Sequence, residues 1–262
     1  MEKLPVTRAI ELKGITFHYP HSEALILENA ELTIPVGRSV GIVGTTGAGK
    51  TTIVDILLGL LAPQAGEILA DGMDVRKNYQ GFLKNVGYIP QTIFMIDTTI
   101  RKNVAFGVPD DEIDDARVWA ALAEAQLDDF VRSLPEGLDT TIGERGIRLS
   151  GGQRQRISIA RALAMEPDIL ILDDSSSALD YATDAALRRA LCRLPASTTV
   201  FIVSQRTSSL RHADNILVLE DGRLAGQGRH EELMAACPVY REIHESQFRK
   251  GDEVHAQEEA FA

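Results

Sequence analysis

Apolar residues fall along this chain in three patterns, and each calls for a different environment. Ala9-Ile10-Glu11-Leu12-Lys13-Gly14-Ile15-Thr16-Phe17-His18-Tyr19-Pro20 alternates enough for a strand, stopped by its proline. Ala24 to Pro35 is a second β-rich run before the turn at Gly37, and Glu67 to Ala70 is a short strand with Asp71-Gly72 as its exit turn. Ile169-Leu170-Ile171-Leu172 does not alternate, as a strand covered on both faces of a parallel sheet requires. Thr198 to Val203 reads as another buried strand, Val86 to Gln91 as one stopped by Pro90, and Ile216 to Ala225 as a hairpin turned on Asp221-Gly222. Helical spacing takes over at Ile53 to Leu58 and at Ile157 to Ala164. It also runs from Ala116 to Val131, where Val118, Leu122 and Ala125 share a face beside Trp119. A further helix is expected to begin near Glu231. The class is α/β, with a mostly helical insertion between Thr92 and Leu163.

Composition narrows the function. At 262 residues the chain suits one large domain or two small ones. A net charge of -11 argues against nucleic acid as a partner, since such binders need a basic surface. Cys192 and Cys237 lie far apart without ligand spacing; inert thiols in a reducing compartment are expected, with a disulfide as the alternative. No apolar run approaches the ~18 residues of a membrane helix, and Met1 to Pro5 has no signal-peptide character. The chain as given is therefore expected to be soluble and cytosolic. Its end, Gly251 to Ala262, is acidic and poor in core formers, and is expected to be mobile.

The chemistry is densest at Gly44-Thr45-Thr46-Gly47-Ala48-Gly49-Lys50-Thr51, between the apolar strand around Ser39 to Val43 and the apolar helical run after it. The spacing G-x-x-x-x-G-K-[ST] is that of a phosphate loop. Its glycines let backbone N–H groups turn inward around a polyphosphate, and its helix adds a positive dipole end. Lys50 would reach the β- and γ-phosphates and the Thr51 hydroxyl would ligate Mg²⁺.

Weaker signals gain weight beside that one. Asp173 and Asp174 end the unalternating strand, where ligands bind in open α/β sheets. Asp173 would hold Mg²⁺, and Asp174 would lie next to the attacking water. Leu149-Ser150-Gly151-Gly152-Gln153 leads into a helix with Ser150 placed as its N-cap: either a plain capped helix or a second anion cradle. Tyr19 offers a ring face on which a base would stack, an interaction of ~1–3 kcal/mol in single-strand binders, though packing at a strand end would serve as well. Gln91, on spacing alone, is a plain loop residue. The acidic run Asp110-Asp111-Glu112 and Asp114-Asp115 reads as a solvated helix start, with a metal site as the remote alternative.

Taken together, these motifs resemble the nucleotide-binding domain of ATP-binding cassette (ABC) transporters, and they match from Tyr19 to Leu233. The resemblance implies a P-loop NTPase core of the RecA-like kind with an antiparallel β subdomain and an inserted α-helical subdomain. It sets the domain at 1–247, with the core at about 1–91 and 167–247, the helical subdomain at about 92–166, and 248–262 as a flexible acidic tail. It implies ATP and Mg²⁺ as cofactors. Tyr19 stacks on adenine, and Gly44, Thr45, Thr46, Gly47, Ala48, Gly49, Lys50, Thr51 and Thr52 bind phosphate. Thr51, Gln91 and Asp173 attend the metal, and Gln91 also couples the site to transport. Ser150, Gly151, Gly152 and Gln153 form a signature motif that closes over the γ-phosphate held by a second such domain. Ser177-Ala178-Leu179-Asp180 matches the loop that crosses between the two.

Within that family, Thr141 to Gly146 and Asp97 to Val104 resemble exporter segments, which places the chain as the cytosolic part of a half-transporter. It would sit at the cytoplasmic face of a cell membrane, following a transmembrane domain on the same full-length polypeptide. Phe94, Met95 and Ile96 would help line the groove for a cytoplasmic helix of that membrane part, or serve as local core. Two positions depart from the pattern: Asp174 stands where the family has a catalytic glutamate, and Gln205 where it has a switch histidine. An aspartate withdraws its carboxylate by roughly 1 Å, and misplacement of that size costs ~10²-fold, about 2.7 kcal/mol of barrier. Glutamine can donate a hydrogen bond to a γ-phosphate but takes up no proton near neutral pH. With Lys50 and Gln91 completing the catalytic set, this site is expected to bind MgATP well and hydrolyse it slowly. The intact signature fits one half of a heterodimeric exporter. The alternatives are a non-hydrolysing nucleotide-binding module that gates a partner, or a non-transport cassette ATPase.

Overall fold

The computed structural model describes residues 3–22, 24–173, 187, 191 and 193–247. Asp174 and the Ser177-to-Asp180 loop lie outside the described residues, as do Cys192 and the acidic tail. Ten strands are described: β1 (Ala9–Phe17), β2 (Leu27–Pro35), β3 (Ser39–Gly44), β4 (Ala65–Ala70), β5 (Met73–Asp74), β6 (Val86–Ile89), β7 (Ile169–Asp173), β8 (Thr199–Val203), β9 (Asn215–Glu220) and β10 (Arg223–Gly228). The chain divides into two compact units, Val6–Tyr79 with Thr199–Ala262, and Met1–Pro5 with Gln80–Thr198.

The first of these units holds an antiparallel sheet in the order β2-β1-β4-β5. Strand β1 keeps its apolar face inward only by changing phase. Ile10 and Leu12 are buried, the register shifts between Leu12 and Ile15, and Ile15 and Phe17 are buried in turn. The extra residue falls at Gly14, whose φ of 63° lies in the left-handed region. At this bulge β4 comes so close that a Cβ on Gly66 would stand 2.5 Å from the carbonyl oxygens of Lys13 and Gly14.

The same unit contains the strand run β10-β9-β3-β8, in which β3 is parallel to both neighbours. Covered strands have no wet face, so Val40 to Gly44 and Ile216 to Leu219 are buried without interruption. Strands β9 and β10 form the expected hairpin. Asp221 (φ 45°) and Gly222 (φ 77°) both adopt the left-handed conformation that a two-residue turn of primed type demands. Val43, Leu210, Ile216, Val218, Leu233 and Tyr240 meet in one core, which ties the helix His230–Ala236 and a helix over 238–247 to the sheet.

In the second unit, β6 and β7 pair in parallel with Val86 opposite Ile169 and Ile89 opposite Leu172. All five residues of β7 are buried. The rest is helical. The helix Gly151–Ala164 packs on Asp115–Glu124 and on Ile100–Val104, and it approaches β6 closely enough that a Cβ on Gly87 would lie 2.9 Å from the Ala162 carbonyl.

The sequence suggested one helix from Ala116 to Val131, and here the structure differs. Gln126 turns left-handed (φ 56°), and the Leu127 N–H returns to the Leu122 carbonyl at 2.9 Å. That closure ends the first helix, and Asp128–Ser133 starts another. Val118, Leu122 and Ala125 nevertheless share the buried face, and Arg132 covers the Trp119 ring at 4.0 Å. The acidic run behaves as a helix start: Asp114 caps the Ala116 N–H at 2.8 Å. No described helix is long and apolar enough to cross a membrane.

Candidate functional site

Strand β3 ends at Gly44, and the helix Lys50–Leu57 begins five residues after the strand. Between them Thr45, Thr46 and Gly47 are exposed while Ala48 and Gly49 are buried. The glycines of this loop answer to different causes. A Cβ on Gly44 would fall 2.4 Å from the Leu219 carbonyl of neighbouring β9, and one on Gly49 (φ 97°) would fall 2.8 Å from the Ile26 carbonyl. Gly47 (φ 85°) has open space where its Cβ would stand.

The Lys50 side chain is buried to 9% exposure and folds back over the loop. Its ammonium donates to the Gly44 and Thr45 carbonyls at 2.8 Å each. A fixed cation therefore stands at the mouth of a loop that leads into a helix N-terminus, which suits a polyphosphate.

Tyr19 stands beside the same helix. Its hydroxyl lies 3.3 Å from Thr52 Oγ1, and Phe17 meets the ring edge-on at 5.1 Å. Tyr19 as a whole is 41% exposed, which leaves it open to a planar base. Gln205 follows the end of β8, which pairs in parallel with β3, Ile42 opposite Val203. The exposed pair Gln205 and Arg206 is held between Ser204 and Thr207, both buried, and the Ser204 N–H donates to the Ile42 carbonyl at 3.1 Å. The phosphate loop and Gln205 thus leave the sheet at the carboxyl ends of adjacent parallel strands, the side where open α/β sheets bind ligands.

The unit containing Gln80–Thr198 carries the other expected residues. Asp173 ends β7 at 3% exposure, and Tyr88 donates to its Oδ2 at 3.3 Å. Gln91 is exposed just past β6. Ser150 caps the helix Gly151–Ala164 reciprocally: its Oγ accepts from the Gln153 N–H at 3.2 Å, and Gln153 Oε1 accepts from the Ser150 N–H at 2.8 Å. The Gly151 Cβ position is open, so the helix end remains approachable. Of the trio Phe94-Met95-Ile96, Met95 is core at 3% exposure, whereas Phe94 is 61% exposed.

Sequence reasoning missed Arg161. It donates to the carbonyls of Phe94 (2.9 Å) and Asn103 (2.8 Å), and its guanidinium lies 4.9 Å from the centre of the half-exposed Phe106 ring. Burial lowers its pKa from the ordinary arginine value. The available signal was an arginine inside the otherwise apolar run Ile157 to Ala164.

A phosphate loop between a buried parallel strand and a helix, with a carboxylate ending a second buried strand, defines a P-loop nucleotide-binding protein with a RecA-like core, mixed sheets and a helical subdomain. The family model described as ABC transporter matches residues 27–177, and this chain belongs to that family, as one of its ATP-binding domains. An uncharacterized ABC transporter ATP-binding protein of Mycobacterium tuberculosis is 38% identical over 244 residues, covering 92% of this chain and 42% of the relative. The ATP-dependent lipid A-core flippase of Pectobacterium atrosepticum is 40% identical, covering 91% and 41%. A probable multidrug resistance ABC transporter ATP-binding/permease protein of Bacillus subtilis is 42% identical, covering 91% and 40%. The solved structure of a bacterial Atm1-family ABC exporter with ATP bound superposes with a TM-score of 0.85 at 36% identity, covering 92% of this chain and 42% of that one. The chain thus spans well under half the length of these relatives.

Proposed function

We propose that this chain is the ATP-binding and hydrolysing motor part of an ABC exporter. The observation that carries the reading is the Lys50 ammonium held over the Gly44-to-Thr51 loop by two main-chain carbonyls. Gly44 to Thr52 would cradle the phosphates of ATP, with Tyr19 against the adenine. Thr51, Gln91 and Asp173 offer hydroxyl, amide and carboxylate oxygens, the hard donors that Mg²⁺ prefers, and that ion would neutralise charge on the transferred phosphoryl group. Asp174 would act as base toward the attacking water, Gln205 would donate to the γ-phosphate, and Gln91 would couple the site to transport.

The domain would extend over 1–247, with 92–166 as its helical part and 248–262 as a tail. Ser150 to Gln153 would close over the γ-phosphate held by a second nucleotide-binding domain, two such domains clamping ATP head to tail. Asp174 and Gln205 make this chain's own site slow, so the partner domain would be a different half-transporter chain. Phe94 and Phe106, with Arg161 holding the backbone beneath them, would receive a cytoplasmic helix of a transmembrane domain on the full-length polypeptide. That arrangement places the motor at the cytoplasmic face of a membrane. Nucleic acid has no part in it.

The test is ATP turnover with and without the cognate partner domain: slow alone, with a marked gain on mixing. Rapid turnover by this chain alone would count against a slow own site. Asp174→Glu with Gln205→His should raise hydrolysis by a forced homodimer, and an unchanged rate would clear those two residues of blame. The same two residues favour one other reading, a non-hydrolysing module that gates its partner. Single-turnover hydrolysis of bound ATP separates the two.

A further inference from the structure

The helix over 238–247 reaches the loop that carries Gln205. Gln247 donates from Nε2 to the Gln205 main-chain oxygen at 2.6 Å. Its Oε1 accepts from the Thr207 N–H at 3.1 Å and from the Thr207 hydroxyl at 3.2 Å. Thr207 Oγ1 also lies 2.7 Å from His244 Nδ1. The contacts join His244, Thr207 and Gln247 in one chain, and Gln247 in turn donates to the Gln205 carbonyl. Thr207 is 1% exposed, and Tyr240, fully buried on the same helix, anchors that helix in the core.

We infer that Gln247 and His244 are positioning residues for Gln205: the helix over 238–247 sets the main-chain direction from which the Gln205 side chain reaches toward a γ-phosphate. The inference rests on the reading of Gln205 as the γ-phosphate contact. A glutamine in that role depends more on its backbone than a histidine would, because it has one more rotatable bond to fix before its amide is aimed.

The experiment is a double-mutant cycle in the full chain, reading the ratio of MgADP to MgATP dissociation constants, which isolates the γ-phosphate. Gln205→Ala should lower the ratio, and Gln247→Leu should lower it roughly 3- to 10-fold, the effect of one lost hydrogen bond. The double variant should fall no further than Gln205→Ala alone. Gln247→Glu keeps an oxygen to accept from the Thr207 N–H and hydroxyl but turns a carboxylate oxygen toward the Gln205 carbonyl. It should match Gln247→Leu in the ratio while melting near the wild type, which guards against a helix that simply detaches. A wild-type ratio in Gln247→Glu, or equal losses with and without the Gln205 side chain, overturns the inference. A Gln205→Ala chain with the wild-type ratio defeats the reading of Gln205 itself, and the inference with it.

Discussion

Lys50 makes two short bonds to loop carbonyls, and a charged donor of that kind contributes about 1.5–3 kcal/mol where it meets its target. Lys50→Ala should therefore weaken MgATP binding by roughly 10- to 100-fold by titration calorimetry. The letters Gly-Lys-Thr made this residue legible in the sequence because the spacing itself is the mechanism. Asp71 was not legible in that way and read only as half of a turn. Its carboxylate accepts from Thr7 Oγ1 (2.7 Å) and from the N–H groups of Thr7 (2.8 Å), Arg8 (2.8 Å) and Ala9 (3.0 Å). Burial pushes its pKa up, but these four donors outweigh burial and hold it at about 2. A folded pKa below the unfolded value of 3.8 means stability that is complete above that value and lost as pH falls toward 2. Acid denaturation followed between pH 4 and 2 should accordingly be shallower in Asp71→Asn than in the wild type.

At the scale of elements, periodicity found the strands and most helices but not the interruptions. Nothing in the letters of β1 announces that Gly14 will absorb a bulge, because the register shift is set by the strands paired on either side of it. The break at Gln126 was hidden for a related reason: an ordinary glutamine takes a left-handed turn that packing imposes. The start of the helix Gly151–Ala164 was readable, since Ser150 and Gln153 at three-residue spacing name a capping box. Ser150→Ala should cost about 1 kcal/mol in chemical denaturation. If Ser150 also reaches a partner's nucleotide, turnover of the assembled pair should fall much further than so small a loss explains. The relay through Thr207 joins residues 40 apart, and no window of sequence holds both ends.

His244 carries its own signature at this scale. Burial, the facing His230 ring and Arg211 lower its pKa against the opposing pull of Glu245, and the Tyr240 ring stacks beside it. Because the folded value lies below 6.5, stability is present above that pH and declines as pH falls beneath it. Amide exchange in the helix over 238–247 should accelerate on acidification through this range, and the acceleration should vanish in His244→Phe.

For the molecule as a whole, ligand binding and folding are linked. MgATP at 100 times its dissociation constant should stabilise the chain by about 2.7 kcal/mol. That gain should shrink when a chelator removes the metal and, at the same MgATP concentration, fall to about 0.4–1.4 kcal/mol in Lys50→Ala. Length sets a further boundary, because the chain spans 40–42% of the curated relatives it matches. The phosphate-loop spacing was legible because it lies within one short stretch of sequence. How Phe94, Phe106 and Arg161 share one patch was not, since Arg161 lies on a helix that begins nearly sixty residues after Phe94.

The three loop glycines also differ in what holds them in place. Gly44 and Gly49 are demanded by carbonyls of the surrounding scaffold, so a descendant that gave up nucleotides altogether would still be obliged to retain them. Gly44→Ala should lower the melting temperature even without nucleotide, at the 1–3 kcal/mol typical of an overfilled interior. Gly47 meets no neighbour there and is held only by its left-handed φ of 85°, so of the three its exchange would disturb the surrounding scaffold least.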